Sequence, residues 1–459
     1  MSDTRLFSEF PEVSAKQWKQ KIQVDLKGAD YNDTLVWESL EGITVKPFYH
    51  PDDLQGKPTF RISENHSWHI AQSIYAGESK KANAKALDVL KKGAESLLFT
   101  IPDEETDFEI LLANIDLEVV PLHFHFEFLK VEPFKKLLAF LDGAKSTVHL
   151  NVDIIGHLAR SGNWYHNLEK DHELLNEIYA LTSTLNTISL VGVDLGLYQN
   201  AGANMVQQLA YGMAHANEYL AHFNPKSSFP ITFKVALGSN YFFEIAKLRA
   251  LRWLWSTLAG EYGIQNDCHI IAVPSKRNKT IYDYNVNMLR TTSECMSAVL
   301  GGADAVCNLA YDAIYHKNNE FGERIARNQL LLLKEESYMA EAAQISEGAY
   351  YIESLTQQMA EKALSLFKQV EASGGFLDAL KKGTIQQKIA VGAEKEQQQF
   401  DTGQTVLLGT NSFQNPHDRM KDNLELFPFV KNKPRKTLIV PIIEKRLAET
   451  TEQKRLEDE

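Results

Sequence analysis

Ile188-Ser-Leu-Val-Gly-Val-Asp194 and His269-Ile-Ile-Ala-Val273 decide the fold. Neither alternates apolar and polar residues, as a strand with one wet face does. Each is nearly continuous in apolar side chains, which is how strands covered on both faces of a parallel sheet read. Working outward, strand-like runs fall at 95–101, 117–126, 147–155, 187–194, 230–237, 268–274 and 305–310. Helical periodicity fills the intervals at 80–93, 133–143, 172–185, 202–222, 241–262, 283–300 and 322–338. This βα rhythm favours an α/β fold of the (β/α)8 (TIM) barrel type over a doubly wound sheet, because no Gly-rich dinucleotide fingerprint follows the first strand. Seven units are legible, and the eighth strand is expected at 348–352 or 404–409.

Two flanks lack the rhythm. Residues 1–78 carry Trp18, Trp37 and Trp68 and are expected to form an aromatic-rich N-terminal arm, packed on the barrel or on a partner because so much apolar surface is costly in water. The barrel then occupies 79–415. Residues 416–459 hold Pro416, Pro428, Pro434 and Pro441 and end in a charge-dense stretch, expected as a short C-terminal extension or linker with an exposed helix or tail.

Composition excludes several functions. In 459 residues, 60 Asp and Glu outnumber 48 Lys and Arg, giving a formal charge of −12, and no basic cluster outweighs this. Nucleic-acid binding is therefore not expected. Cys268, Cys295 and Cys307 form neither a CxxC pair nor a disulfide framework. With no apolar leader and no run of ~18 apolar residues, the expectation is a cytoplasmic chain that does not span a membrane.

Polar candidates gather at strand ends. His123 and His125, two apart in Leu-His-Phe-His-Phe, could open a metal site if Asp116, Asp153, His157, Asp194 or Asp304 completed it, or serve as hydrogen-bonding core groups. Metal is not expected. Lys234 in Ile-Thr-Phe-Lys-Val-Ala-Leu is either a Schiff-base lysine or a strand-end lysine paired with a carboxylate. The richest junction is Asp194-Leu-Gly-Leu-Tyr-Gln-Asn-Ala-Gly-Ala203, at a C-terminal barrel edge where barrel enzymes build their sites; Asn200 could also cap the next helix.

With these residues the chain resembles the adenosylcobalamin-dependent acyl-CoA mutases, and among them the small (β) subunits of methylmalonyl-CoA mutase. The resemblance rests on Trp18-Lys-Gln-Lys-Ile-Gln-Val-Asp-Leu-Lys-Gly-Ala-Asp-Tyr31, Glu41-Gly-Ile-Thr-Val-Lys-Pro-Phe-Tyr49, the helix-like stretch Asn240 to Trp255, Arg324-Ile-Ala-Arg-Asn328 and Tyr350-Tyr-Ile-Glu353. They occur in the family's order between Leu6 and about Pro416. The resemblance implies a radical rearrangement of methylmalonyl-CoA and succinyl-CoA, with the cofactor supplying the radical and the protein supplying binding and exclusion of water. It also implies a barrel threaded by the CoA ester, for which Ser189, Gly192, Ala236 and Ala272 are small candidate linings.

Three departures bear on activity. Leu197 stands where the catalytic family has histidine, and leucine can neither donate a hydrogen bond nor move a proton. Trp68-His-Ile-Ala-Gln-Ser-Ile-Tyr-Ala-Gly77 matches a family active-site segment in Tyr75 but lacks its arginines. The cobalamin signature Asp-x-His-x-x-Gly is absent, and no cobalamin-binding domain is expected. The implied reading is a small, non-catalytic subunit of a heterodimeric mutase, paired with a catalytic large subunit that holds adenosylcobalamin, with no cofactor on this chain and no catalytic residue. Residual substrate-binding candidates are Tyr75, Tyr198, Gln199 and Asn200. The alternatives are an independent TIM-barrel enzyme using Lys234, His123, His125 or Asp194, and a vestigial module that binds a CoA ester.

Overall fold

A two-residue ribbon, β1 (Trp37–Glu38) against β2 (Thr44–Val45), precedes eight parallel strands. These are β3 (His69–Tyr75), β4 (Ser96–Ile101), β5 (Leu122–Phe126), β6 (Val148–Val152), β7 (Ile188–Asp194), β8 (Ile231–Leu237), β9 (His269–Pro274) and β10 (Ala305–Cys307). They close in the order β10-β3-β4-β5-β6-β7-β8-β9, with helices outside, so the (β/α)8 expectation holds. The computed structural model describes residues 9–62, 66–141, 143–183, 185, 187–265, 267–341, 344–431 and 434–459.

The eighth strand is a correction. It is neither 348–352 nor 404–409 but β3, which lies inside the stretch expected to be the arm. Helix Tyr350–Ala372 begins within the first of those candidates. His69-Ile-Ala-Gln-Ser-Ile-Tyr75 has no continuous apolar signature, because Ser73 and Tyr75, on the same face as Ala71, are exposed at the barrel mouth while Ile70 and Ile74 are buried on the other face. Pairing with both β4 and β10 makes it a strand. The run 147–155 is likewise shorter than expected, since Asp153 caps helix Ile154–Ser161 by accepting from the Gly156 N–H at 2.7 Å.

Helix Tyr241–Glu261 shows why amphipathicity alone misleads. It is buried nearly all round, against helices Met205–Phe223, Val286–Leu300 and Tyr350–Ala372, yet it carries Glu244, Lys247, Arg249 and Arg252. Each charge is paired: Lys247 with Glu244 at 2.5 Å, Arg249 with Glu353 at 2.7 Å, and Arg252 with Asp304 at 2.7 Å. Burial of such charges is tolerable only with partners and hydrogen bonds in place.

The flanks dock unequally. In the N-terminal segment Ile43, Ile62 and Trp68 are buried, and Trp68 Nε1 donates to the Met339 carbonyl at 2.9 Å. Helix Ala15–Asp25 buries nothing; Trp18 stacks on Phe48 at 4.5 Å and keeps 46% of its surface in water. The C-terminal segment corrects the expectation of an exposed tail. Arg446, Leu447, Ala448, Glu449 and Glu452 are buried, Arg446 pairs with Glu452 at 2.7 Å, and Glu452 accepts from the Ile281 N–H at 2.9 Å. Arg446, Glu449 and Glu452 point into the fold while Lys454, Glu457 and Asp458 stay exposed, a distinction composition does not carry.

Candidate functional site

The C-terminal ends of the strands surround a cavity of about 350 Å³. Its wall includes Ser73, Leu98, His125, Asn151, Asp153, Arg160, Gly192, Asp194, Leu197, Thr232 and Lys234. Strand alternation explains the set: His125, Thr232, Lys234, Gly192 and Asp194 occupy inward positions near strand ends. Gly192 is required by close approach, because a Cβ there would stand 2.8 Å from the Asn151 Cα. Asn151 itself takes φ of 48°, where β6 departs from its regular register with β7. Ala272 is not a lining residue; it joins the main core, while Ile271 shares a smaller cluster with Ala71, Ala305 and Cys307 inside the barrel.

The charges at this mouth neutralise one another. Asp194 Oδ2 lies 3.3 Å from Lys234 Nζ and 3.1 Å from Arg160 Nη2, and Arg160 reaches Glu444 at 3.6 Å. Burial opposes ionisation of Asp194, but Lys234, Arg160 and His125 outweigh it and bring the carboxyl down to about 2. His125 is held neutral, at about 4, by burial and then by Lys234. Lys234 is thus a lysine paired with a carboxylate.

The residues singled out in the sequence separate. Leu197, 1% exposed, lines the cavity. Tyr75 is 58% exposed at the end of β3, outside the cavity wall. Tyr198 points into the fold, its hydroxyl 2.8 Å from His215 Nδ1; His215 Nε2 lies 2.9 Å from Asp153 Oδ1, which also accepts from the Tyr219 hydroxyl at 2.7 Å. Gln199 is buried beside Gly238 on another face. The Asn200 side chain accepts from Ser275 Oγ at 3.0 Å and donates to Glu444 at 2.9 Å. The loop 195–203 therefore spends its polar groups holding helix Gly196–Asn200 in the fold. Sequence reasoning missed Arg160, Asn151 and Tyr165, which stand after β6 or at its irregularity, where no local motif marks them.

The opposite end of the barrel differs. His123 on β5 pairs in register with His149 on β6, and His269 opens β9. His149 stacks on both neighbours, with centroids 4.6 Å from His123 and 3.9 Å from His269, while His123 and His269 are tilted to each other at 36° with centroids 5.0 Å apart. His149 Nδ1 lies 2.8 Å from the Thr232 hydroxyl. Among the described residues, both ring nitrogens of His123 and the Nε2 atoms of His149 and His269 are buried without a hydrogen-bond partner. Leaving a buried polar atom unmade costs ~1–3 kcal/mol each, so four in one place need a reason. His123 and His125 do not share a site; one lies on the floor and the other at the mouth.

Fold and cavity define a (β/α)8-barrel protein whose polar opening lies at the C-terminal ends of its strands. The chain belongs to the methylmalonyl-CoA mutase family. The family profile of that description matches residues 101–454. The chain is 35% identical to the methylmalonyl-CoA mutase small subunit of Porphyromonas gingivalis, over 92% of this chain and 73% of that protein. It is 30% identical to the methylmalonyl-CoA mutase of Cereibacter sphaeroides, over 86% and 64%, and 29% identical to the small subunit of Streptomyces virginiae, over 89% and 71%. It thus spans between 64% and 73% of the length of these relatives. Among the described residues, no helix is long and apolar enough to cross a membrane.

Proposed function

We propose that this chain is the small, non-catalytic subunit of a heterodimeric methylmalonyl-CoA mutase, acting by binding a catalytic large subunit in the cytoplasm. One observation carries the reading: Leu197, at the position that the resemblance assigns to the catalytic histidine, forms part of the cavity wall. Leucine offers the thioester carbonyl neither a hydrogen bond nor a proton. The two cations at the mouth support it further, being committed to Asp194 and Glu444 rather than open to a substrate carboxylate.

These residues do not fit adenosylcobalamin. The Glu444–Arg160–Asp194–Lys234 chain borders an opening of about 350 Å³, at the small end of ligand pockets and far too small for a corrin. The reading therefore routes no step through that cofactor on this chain and assigns it to the partner. The half-exposed Trp18 and Trp37 of the N-terminal segment supply apolar area for the subunit contact.

The test is reconstitution. The purified chain should show no mutase activity with adenosylcobalamin and succinyl-CoA, and should form a one-to-one complex with a large subunit in light scattering. Turnover by the solitary chain would overturn the reading. A second reading, a CoA-ester module, is favoured only by the cavity with His125, Arg160 and Lys234 in its wall. A thermal shift with a CoA ester separates the two: at one hundred times the dissociation constant a ligand stabilises by about 2.7 kcal/mol, and a purely structural subunit gives none.

A further inference from the structure

We propose that His123, His149 and His269 bind one divalent transition-metal ion of the zinc class on the floor of the barrel, beneath the mouth cavity and sharing Thr232 with its wall. The candidate donor atoms lie within 4.8 Å of one another. They come from β5, β6 and β9, so a bound ion would tie together strands from different parts of the barrel wall.

The donor chemistry is selective. Burial, followed for His123 and His269 by the neighbouring imidazoles, pushes these rings well below the usual histidine range; burial brings His149 to about 4. All three are neutral at physiological pH, so each presents a lone pair. A set of three imidazole nitrogens suits zinc and cobalt(II), whereas magnesium and calcium take oxygen ligands.

Among the described residues, His149 has the orienting hydrogen bond that a metal-bound histidine carries. His149 Nδ1 lies 2.8 Å from Thr232 Oγ1, and in the tautomer that donates Nδ1–H to that oxygen Nε2 presents its lone pair to the cluster. The Asp304 carboxylate stands 3.8 Å from His269 Nδ1, leaving Nε2 as the unpartnered atom of that ring. His123 has both nitrogens buried and unpartnered. Zinc–nitrogen bonds of ~2.0–2.1 Å ask for a closer set with converging lone pairs, so the His149–His269 stack must open on binding as well as His123, which no hydrogen bond among the described residues holds, turning its ring. Ala71, Ile271 and Cys307, with Leu98 against them, also lie inside the barrel, and Leu98 and Ile271 reach the mouth cavity.

The test uses the full chain. After gel filtration in mild chelator, elemental analysis should find close to one zinc per chain, and cobalt(II) should give the visible absorption of a low-coordinate site. Diffraction at the zinc edge should put the anomalous peak among the three imidazoles. His149→Gln should abolish retention. Should that variant fail to fold, Thr232→Val keeps every imidazole and removes only the orienting hydroxyl; it should weaken zinc by ~10–100-fold. A peak at surface histidines such as His172 and His222, a water alone between the rings, or full retention by both variants would overturn the proposal.

Discussion

The two ends of the barrel handle buried polarity in opposite ways. At the mouth, Asp194, Lys234, Arg160 and Glu444 cancel one another, and Asp153 is satisfied by Gly156, His215 and Tyr219. At the floor, three neutral imidazoles leave four ring nitrogens without partners among the described residues. In barrels the mouth is the usual site of chemistry and the floor the usual site of stability. Here the charges of the mouth are paired into a structural network that leaves Asn151 Oδ1 over, while four unpartnered ring nitrogens gather below it, among the described residues.

The comparison can be broken at its strongest point first. Asp153→Ala strips the Tyr198–His215–Tyr219 network of its central acceptor and should cost ~3–5 kcal/mol, read as a lower denaturation midpoint at unchanged slope. A loss under 1 kcal/mol would mean the mouth network is not what holds it together.

The ends should also separate by pH. His149 titrates at about 4 in the fold against 6.5 for the free side chain. The unfolded chain therefore takes up the proton first, and stability present above pH 6.5 is lost as pH falls towards 4, by ~3 kcal/mol from this group alone. His149→Gln should flatten that slope in urea titrations run across the window, measured without added metal.

Asp194 behaves in a lower window. Its carboxyl titrates at about 2 against an ordinary 3.8, so its contribution is complete above pH 3.8 and is lost as pH falls towards 2. The amount is about 2 kcal/mol, and Asp194→Asn should remove the slope there, changing the pH 4–6.5 region only through its neighbour His125, which also titrates at about 4. Identical effects of the two variants in both windows would erase the distinction between floor and mouth. The smallest effect belongs to Tyr75→Phe: an exposed hydroxyl outside the cavity should change stability by less than ~0.5 kcal/mol and leave any CoA-ester thermal shift unaltered.

Legibility in the sequence followed how local each feature was. β7 and β9 announced themselves because a strand buried on both faces needs apolar residues in succession. β3 did not, because its strand character comes from its neighbours. Leu197 was readable as the loss of a proton carrier, whereas the inward turn of Tyr198 depended on His215, 17 positions away. The pairing of His123 with His125 followed from spacing, yet the ring stack joins His123 to His149 and His269, which only register across the sheet brings together.

Sequence by itself determined the parallel barrel, the family, and the residue types available at each strand end, since these follow from periodicity and order along one chain. Tertiary structure decided which strand closes the barrel, which charges meet at the mouth and which imidazoles meet on the floor. Closure brings into contact residues far apart in the chain, and the contacts, rather than the residues alone, set what each polar group can do.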